Sequence, residues 1–509
     1  MKIAFRCLTV VTLLGFLAAA VAEGGFSGGV RTPVAAGKFY PQDPTKLINA
    51  IQAYLDDSVK ASAKPPVAIL SPHAGYIFSG QICADAFRQA SPYPYDVIVL
   101  LGTNHTDPGF AGVSIWPSGG YETPLGTVPI DEMTSRSLMQ AGADFLFKES
   151  VHLPEHSIEV LVPFVQVLFP DAKIVAAIIG TENPDLCSRF GKALADAVKG
   201  KRALIVASSD LSHYPEYEDA VRTDLKVLEA VVSLDPAFFL ETVFRIERQT
   251  VSSLFTCACG KAPILAAMTA ARMLGADCAR IVSYANSGDT AFGTRDRVVG
   301  YGAVVFAPGG PCIRQNIFPQ ASDEKPFSAL NERQKTELLA FSRKNIRQFL
   351  TADTLPMARG LDPALDRKQG AFVTLKNKGR LRGCIGHPAD DLPLCQVVGT
   401  ISVQAACNDR RFPGVTLEEL PQIDIEISIL TPFQPVEEAE KIVVGRDGVI
   451  LRKDGRSAVF LPQVAVEQGW NREEMLDRLC LKAGLSEGSW KTGAQFYTFQ
   501  TETIKEPTR

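Results

Sequence analysis

The sequence predicts an α/β domain followed by an α+β domain, and three observations carry that prediction. Strand-like apolar runs alternate with helical patterns from about residue 30 to 306, as in layers built around a largely parallel sheet. The periodicity is then lost across "APGGPCIRQNIFPQASDEKP", where Pro, Gly and polar residues gather into a linker over 307–327. Beyond it, over 328–505, the texture changes to Gly-centred hairpins and alternating strands. A chain of 509 residues exceeds what one hydrophobic core serves, which agrees with two domains.

The chain opens "MKIAFRCLTVVTLLGFLAAAVAEGG", with Lys2 and Arg6 ahead of an apolar run from Cys7 to Ala22. A cationic start, a short apolar core and the small-x-small end Ala20-Val21-Ala22 describe a secretory signal over 1–22, cleaved before Glu23. The expected location is therefore periplasmic or extracellular. The alternatives are a cytoplasmic protein or an uncleaved anchor, since the run falls just short of the roughly 17 to 25 residues that span a bilayer. No later segment reads as transmembrane, so the mature chain should carry no integral membrane segment.

In the first domain the expected strands are Val67–Leu70, Val97–Leu101, Ile174–Ile179, Ala203–Ala207, Ile281–Tyr284 and Val298–Phe306. Between them, Ile158, Leu161, Val162, Val165, Leu168 and Phe169 form a 3.6-residue stripe that predicts a helix over Glu155–Phe169. In the second domain a helix is expected around Ser328–Leu350, followed by hairpins in "AFVTLKNKGRLRGCIG" and "GVILRKDGRSAVFLP". The stretch "IDIEISIL" alternates as a half-buried strand does, and Asn471 with Glu474 makes a capping box for a helix to Cys480.

The formal net charge is −4 with no basic stripe, which excludes nucleic acid as an expected partner. The 11 cysteines show neither a disulfide framework nor a CxxC zinc pattern.

The strands end in chemically unusual residues. Val67–Leu70 runs into "SPHAGY" with His73, Val97–Leu101 into "GTNH" with His105, and Ala203–Ala207 into "SSDLSH" with Asp210 and His213. In open α/β sheets ligands bind at the carboxyl ends of strands, so these side chains can converge. His156 and Glu159 would share one face of the helix after Pro154, and His152 reads as a loop residue. In "TCACGKAPIL", Cys259 precedes a helix whose first turn holds Pro263, a place that favours thiolate; Cys257 is the competing thiol. Taken singly, each has a plainer role: a loop histidine, a packed thiol, an N-cap for Asp210. Together, two imidazoles and a thiolate make a mixed nitrogen and sulfur donor set. Such a set suits iron, copper or zinc far better than magnesium or calcium.

At these residues the chain resembles Memo-like proteins, the AmmeMemoRadiSam system protein B family. "RTPVAAGKFYP", "SPHAGYIFSG", "GTNH", "EHSIEVLVPF", "SSDLSH" and "CGKAPI" occur in that family's order, over about 30–306. The resemblance implies a fold like the class III extradiol dioxygenases (LigB-like). It also implies metal ligands at His73, His105 and Cys259, with iron or copper as the ion and zinc less favoured. Asp210, His213 and His156 fall where that family places polar residues around its site. Over 328–505 the chain is similar to the AMMECR-type domain, AmmeMemoRadiSam system protein A, through "GAFVTLKNKGRLRGCIG", "NDRRFPGVTLEELPQIDIEISILT" and "GRDGVILRKDGRSAVFLPQVAVEQGW". Cys384 with Arg382 and Arg411 is the candidate surface there, Cys384 reading more readily as packing than as a nucleophile. The system's name implies a radical SAM partner, which this chain cannot be because it has no CxxxCxxC motif.

The expectation is a dioxygenase-like, metal-dependent redox protein acting on an unknown small molecule or protein, with His213 or His156 as acid or base. Two rivals stand beside it: a metal-holding scaffold without turnover, and zinc hydrolysis with Asp210 as base.

Overall fold

The computed structural model describes residues 29–61, 64–249, 251–290, 293–309 and 329–507. The expected signal segment over 1–22 and nearly all of the expected linker lie outside them.

The apolar runs of the first half form an eight-stranded sheet in the spatial order Cys278–Asn286, Gly300–Ala307, Ala68–Ser71, Ala203–Ser208, Val97–Thr103, Lys173–Ile179, Val113–Ile115, Phe145–Leu146. The four strands from Ala68–Ser71 to Lys173–Ile179 are mutually parallel. The last two long strands instead form an antiparallel pair that joins the sheet along Ala68–Ser71. The short strands Val113–Ile115 and Phe145–Leu146, and a small sheet of Val30–Arg31, Gly120–Thr123 and Gly126–Pro129, had no signal in the apolar pattern.

Alternation along these strands feeds two cores. Ile69, Ile98, Leu100, Ile174, Ala176, Leu204 and Val206 pack on one face, against helices Pro44–Asp56 and Tyr76–Arg88. Leu70, Val97, Val99, Leu101, Val175, Ile205 and Ala207 pack on the other, against Pro184–Val198, Tyr217–Val232 and Lys261–Met273. A parallel sheet buried on both faces needs apolar residues at every position, which explains the unbroken runs in the sequence.

The helix expected over Glu155–Phe169 is not formed as such. Residues 155–156 are irregular and 157–158 a turn, a 3₁₀ segment covers Glu159–Leu161, and the α-helix is only Val162–Leu168. The backbone groups a helix would use are taken by side chains. Arg31 donates to the carbonyls of His152, Leu153 and Glu155, and the Glu155 carboxylate accepts from the amides of His156 and Ser157.

The second half holds two four-stranded sheets. One has the order Arg380–His387, Ala371–Asn377, Ile423–Leu430, Thr501–Lys505, covered by helices Glu332–Ala352 and Leu394–Cys407. The other has the order Gln434–Val436, Gln495–Phe499, Gly448–Lys453, Arg456–Phe460, and packs on helix Arg472–Lys482, whose capping box is Asn471 with Glu474.

The halves touch through helices Pro44–Asp56 and Glu332–Ala352, with Lys46–Asp353 and Lys344–Asp57 ion pairs at the rim. A deeper tie is Asp85. It is fully buried, accepts from Ser283 and from the amide of Val59, and takes both arms of Arg359 from the second half at 2.8 and 2.6 Å. No helix among the described residues is long and apolar enough to cross a membrane.

Candidate metal centre

Three parallel neighbours end at Ser71, Ser208 and Thr103, and in each case a donor stands two residues further on: His73, Asp210 and His105. Parallel strands put these ends on one side of the sheet. Cys259 arrives from the helix Lys261–Met273, whose N-cap is Gly260. A Cβ on Gly260 would meet the Ser208 carbonyl oxygen at 2.4 Å and the Ser209 Cβ at 2.5 Å, so only glycine lets this helix start so near the strand end. The Cys259 Sγ consequently lies 3.4 Å from His73 Nε2 and accepts the Asp210 amide at 3.3 Å.

His73 is held from two directions. Its backbone N–H donates to Asp210 Oδ1 at 2.9 Å, and its Nδ1 lies 2.7 Å from Ser208 Oγ. The Ser208 hydroxyl gives its own hydrogen to the Ser157 carbonyl at 2.6 Å, so it accepts from Nδ1–H. The Nε2 lone pair of His73 is left facing the thiol.

His105 and His156 lie beside His73, with ring centroids 5.2 and 5.5 Å from it and 5.0 Å from each other. Phe39 covers His156 at 4.5 Å. Glu155, absent from the sequence-level candidates, is buried under both rings, its Oε1 3.0 Å from His105 Nδ1 and 3.3 Å from His156 Nδ1. The signal that could have found it is its place in "PEHS", directly before a candidate histidine. His213 is anchored by backbone bridges to Thr256 and Val299, and its buried Nε2 has no hydrogen-bond partner. Tyr214 after it has φ +76°, a strained setting for a tyrosine.

Burial, then the nearby rings of His105 and His156, hold His73 well below the ordinary imidazole range. Burial also lowers His156 against the pull of Glu155, and His213 against that of Asp210. At His105 burial acts the same way, but the hydrogen bond to Glu155 together with the Glu155 and Asp210 charges outweighs it and raises the ring. Burial opposes ionisation of Glu155, and the hydrogen bond and charge of His105 override it, bringing the carboxyl down to about 2. Burial and then the Asp210 charge push the Cys259 thiol up. The expectation that the helix N-terminus favours thiolate is thereby corrected, because burial and a neighbouring acid outweigh the helix end. A thiolate here needs a cation beside it.

The donor set fits such a cation. Ligand atoms of His73, His105 and Cys259 lie within 4.8 Å of one another. Bonds of about 2.0 Å to nitrogen and 2.3 Å to sulfur in a tetrahedral arrangement separate the two donors by about 3.5 Å, and the 3.4 Å between His73 Nε2 and Cys259 Sγ matches. Asp210 and His213 form a further metal-competent group with Cys259, as do Glu155 and His156 with His105. Asp210 caps no helix; the next one, Tyr217–Val232, has Glu216 at its N-cap.

Other candidates lie elsewhere. Cys257 is buried against Glu247 at 3.8 Å. Glu159 does not share a face with His156, since it forms a buried ion pair with Arg31 at 2.6 Å. His152 is no loop residue: it ends the short helix Glu149–His152 and is fully buried against the Tyr121 hydroxyl at 2.6 Å. In the second half, Cys384 donates its amide to Asp409 at 2.9 Å, and Arg411 bridges Asp409 to the Cys384 carbonyl. Arg382 is turned to Glu419 at 2.7 Å, and the half's lone histidine, His387, pairs with Asp391.

Over residues 31–305 the chain matches the family model described as Memo-like protein, and over 339–504 the one described as AMMECR1. It is 35% identical over 290 residues to a MEMO1 family protein of Desulfurococcus amylolyticus, covering 54% of this chain and 98% of that one. A MEMO1 family protein of Aeropyrum pernix is 37% identical over 289 residues, covering 54% and 99%. Among solved structures, an uncharacterized protein from Pyrococcus horikoshii is 35% identical, with a TM-score of 0.34 and coverage of 35% of this chain and 93% of that chain.

Proposed function

The chain belongs to the Memo-like protein family and continues into an AMMECR1 domain, and from that premise we propose a metal-dependent redox protein of the AmmeMemoRadiSam system. His73, His105 and Cys259 would hold iron or copper. The observation that carries this reading is the meeting of their three ligand atoms within 4.8 Å, from loops far apart in sequence. When bound, iron or copper supplies one-electron chemistry that no side chain here offers.

The chain's own residues bind, orient and move protons. Ser208 turns the His73 lone pair toward Cys259. Asp210 holds the His73 backbone and gives its amide to the Cys259 sulfur. His213, whose Nε2 is buried and without a hydrogen-bond partner, would accept a proton from a substrate, and His156, stacked on His105, would be the alternative base. The substrate is an unidentified small molecule or protein. A radical SAM protein is the partner that the family's system implies. Export is the reading of the N-terminal segment, and a disulfide-bonded Cys278 agrees with an oxidising compartment.

The test is elemental analysis of the full chain purified anaerobically, wild type beside Cys259→Ser. Iron or copper near one ion per chain, lost in the variant, is expected; metal unaffected by the substitution overturns the reading. A second reading, a metal-holding scaffold without turnover, draws support from the surplus of donors around one thiol. Oxygen uptake by the loaded protein with a reductant separates the two, since a sequestering site suppresses it.

A further inference from the structure

We infer that Glu155 is a positioning residue that fixes His105 in one tautomer and so leaves its Nε2 to meet the metal. This role rests on the metal-dependent function proposed for the site and on the supply of hydrogen-bond donors around one carboxylate.

The Glu155 side chain is fully buried and takes part in four hydrogen bonds. Its Oε1 accepts the amides of His156 and Ser157, each at 2.9 Å, and lies 3.0 and 3.3 Å from Nδ1 of His105 and His156. Its Oε2 accepts the His105 amide at 2.7 Å. An ionised carboxylate only accepts, so the His105 Nδ1 bonded to it carries hydrogen, and in the neutral ring the His105 Nε2 carries the lone pair. Three of the four hydrogen bonds fall on Oε1 and the fourth on Oε2. Glu155 therefore orients His105, although it also lies within a metal-competent group.

The His105 and His156 rings stack at 26°. His73 stands edge-on to both, at 73° and 87°. Its tautomer is set separately, through Ser208, which makes it an internal control. The clamp is itself clamped, since Arg31 donates to the Glu155 carbonyl at 2.6 Å and to that of His152 at 2.9 Å. A carboxylate behind a ligating histidine fixes the ring and raises its basicity, and losing such a partner lowers metal affinity by about 10- to 100-fold.

The experiment uses the full chain, metal-free, with ring-15N-labelled histidine. Long-range proton–nitrogen spectra assign each tautomer, and cobalt(II) titration reads affinity. Wild type should show His105 protonated at Nδ1. In Glu155→Gln the His105 ring changes tautomer while His73 keeps its own, and cobalt affinity falls about 10- to 100-fold. Should Glu155→Gln fail to fold, Glu155→Asp retains an acceptor-only group, keeps the His105 tautomer and loses less affinity. An Nε2-protonated His105 in wild type, or Glu155→Gln with unchanged tautomer and affinity, overturns the inference. Correct tautomers in a wild type that binds no cobalt overturn the metal reading and the ligand-presenting role together, leaving only the hydrogen-bond assignment.

Discussion

His73 Nε2 and Cys259 Sγ lie 3.4 Å apart although 186 positions separate them in the chain. Nothing local enforces that contact. It depends on a parallel sheet that delivers His73 and on a helix start that delivers Cys259.

Removing either nitrogen or sulfur donor should abolish tight binding. His105→Ala and Cys259→Ser are each expected to reduce bound metal from near one ion per chain to a small fraction, with far-ultraviolet circular dichroism unchanged. Metal retained in either variant would remove that residue from the ligand set.

Gly260→Ala tests the helix approach. The added methyl meets the Ser208 carbonyl, which must shift together with the Cys259 loop. Overpacking of this kind costs about 1–3 kcal/mol, and denaturant unfolding should show it together with weaker metal binding. Unchanged stability would mean the helix start has room the geometry does not suggest.

Arg31→Met leaves Glu159 charged in a site with no solvent access. Breaking one arm of a buried pair costs about 3–5 kcal/mol, so the first unfolding transition of the full chain should move markedly to lower denaturant. Arg31→Met with Glu159→Gln should recover part of the loss.

His152 supplies a pH dependence. Burial first, then the Arg31 charge, lowers it from 6.5 to about 3. The folded state keeps the ring neutral, so below pH 6.5 the unfolded chain binds a proton that the folded chain refuses. The contribution is complete above that pH and is lost as the pH falls toward 3, at up to about 1.4 kcal/mol per unit. Unfolding free energies measured across this window should fall less steeply in His152→Gln than in wild type.

The donors at strand ends were legible because the strands themselves were: unbroken apolar runs mark a sheet buried on both sides, and the runs show where its carboxyl ends lie. Arg31 and Glu155 were not. The role of Arg31 arises from carbonyls 121 to 124 positions away and that of Glu155 from the His105 amide and ring 50 positions away, and no periodicity records such contacts. The same pair explains the missing first turns of the helix near His156. The apolar stripe there describes burial correctly, yet side chains compete for the hydrogen bonds that would have wound it. Local pattern also could not distinguish an antiparallel closing pair from further parallel strands.

Asp85 carries one more implication. Its counter-ion, Arg359, is encoded on the far side of the linker, so the first domain balances its interior charge with a residue it does not own. Deleting the downstream domain would take away the guanidinium that faces this buried carboxylate, so the first domain's interior is completed by the second.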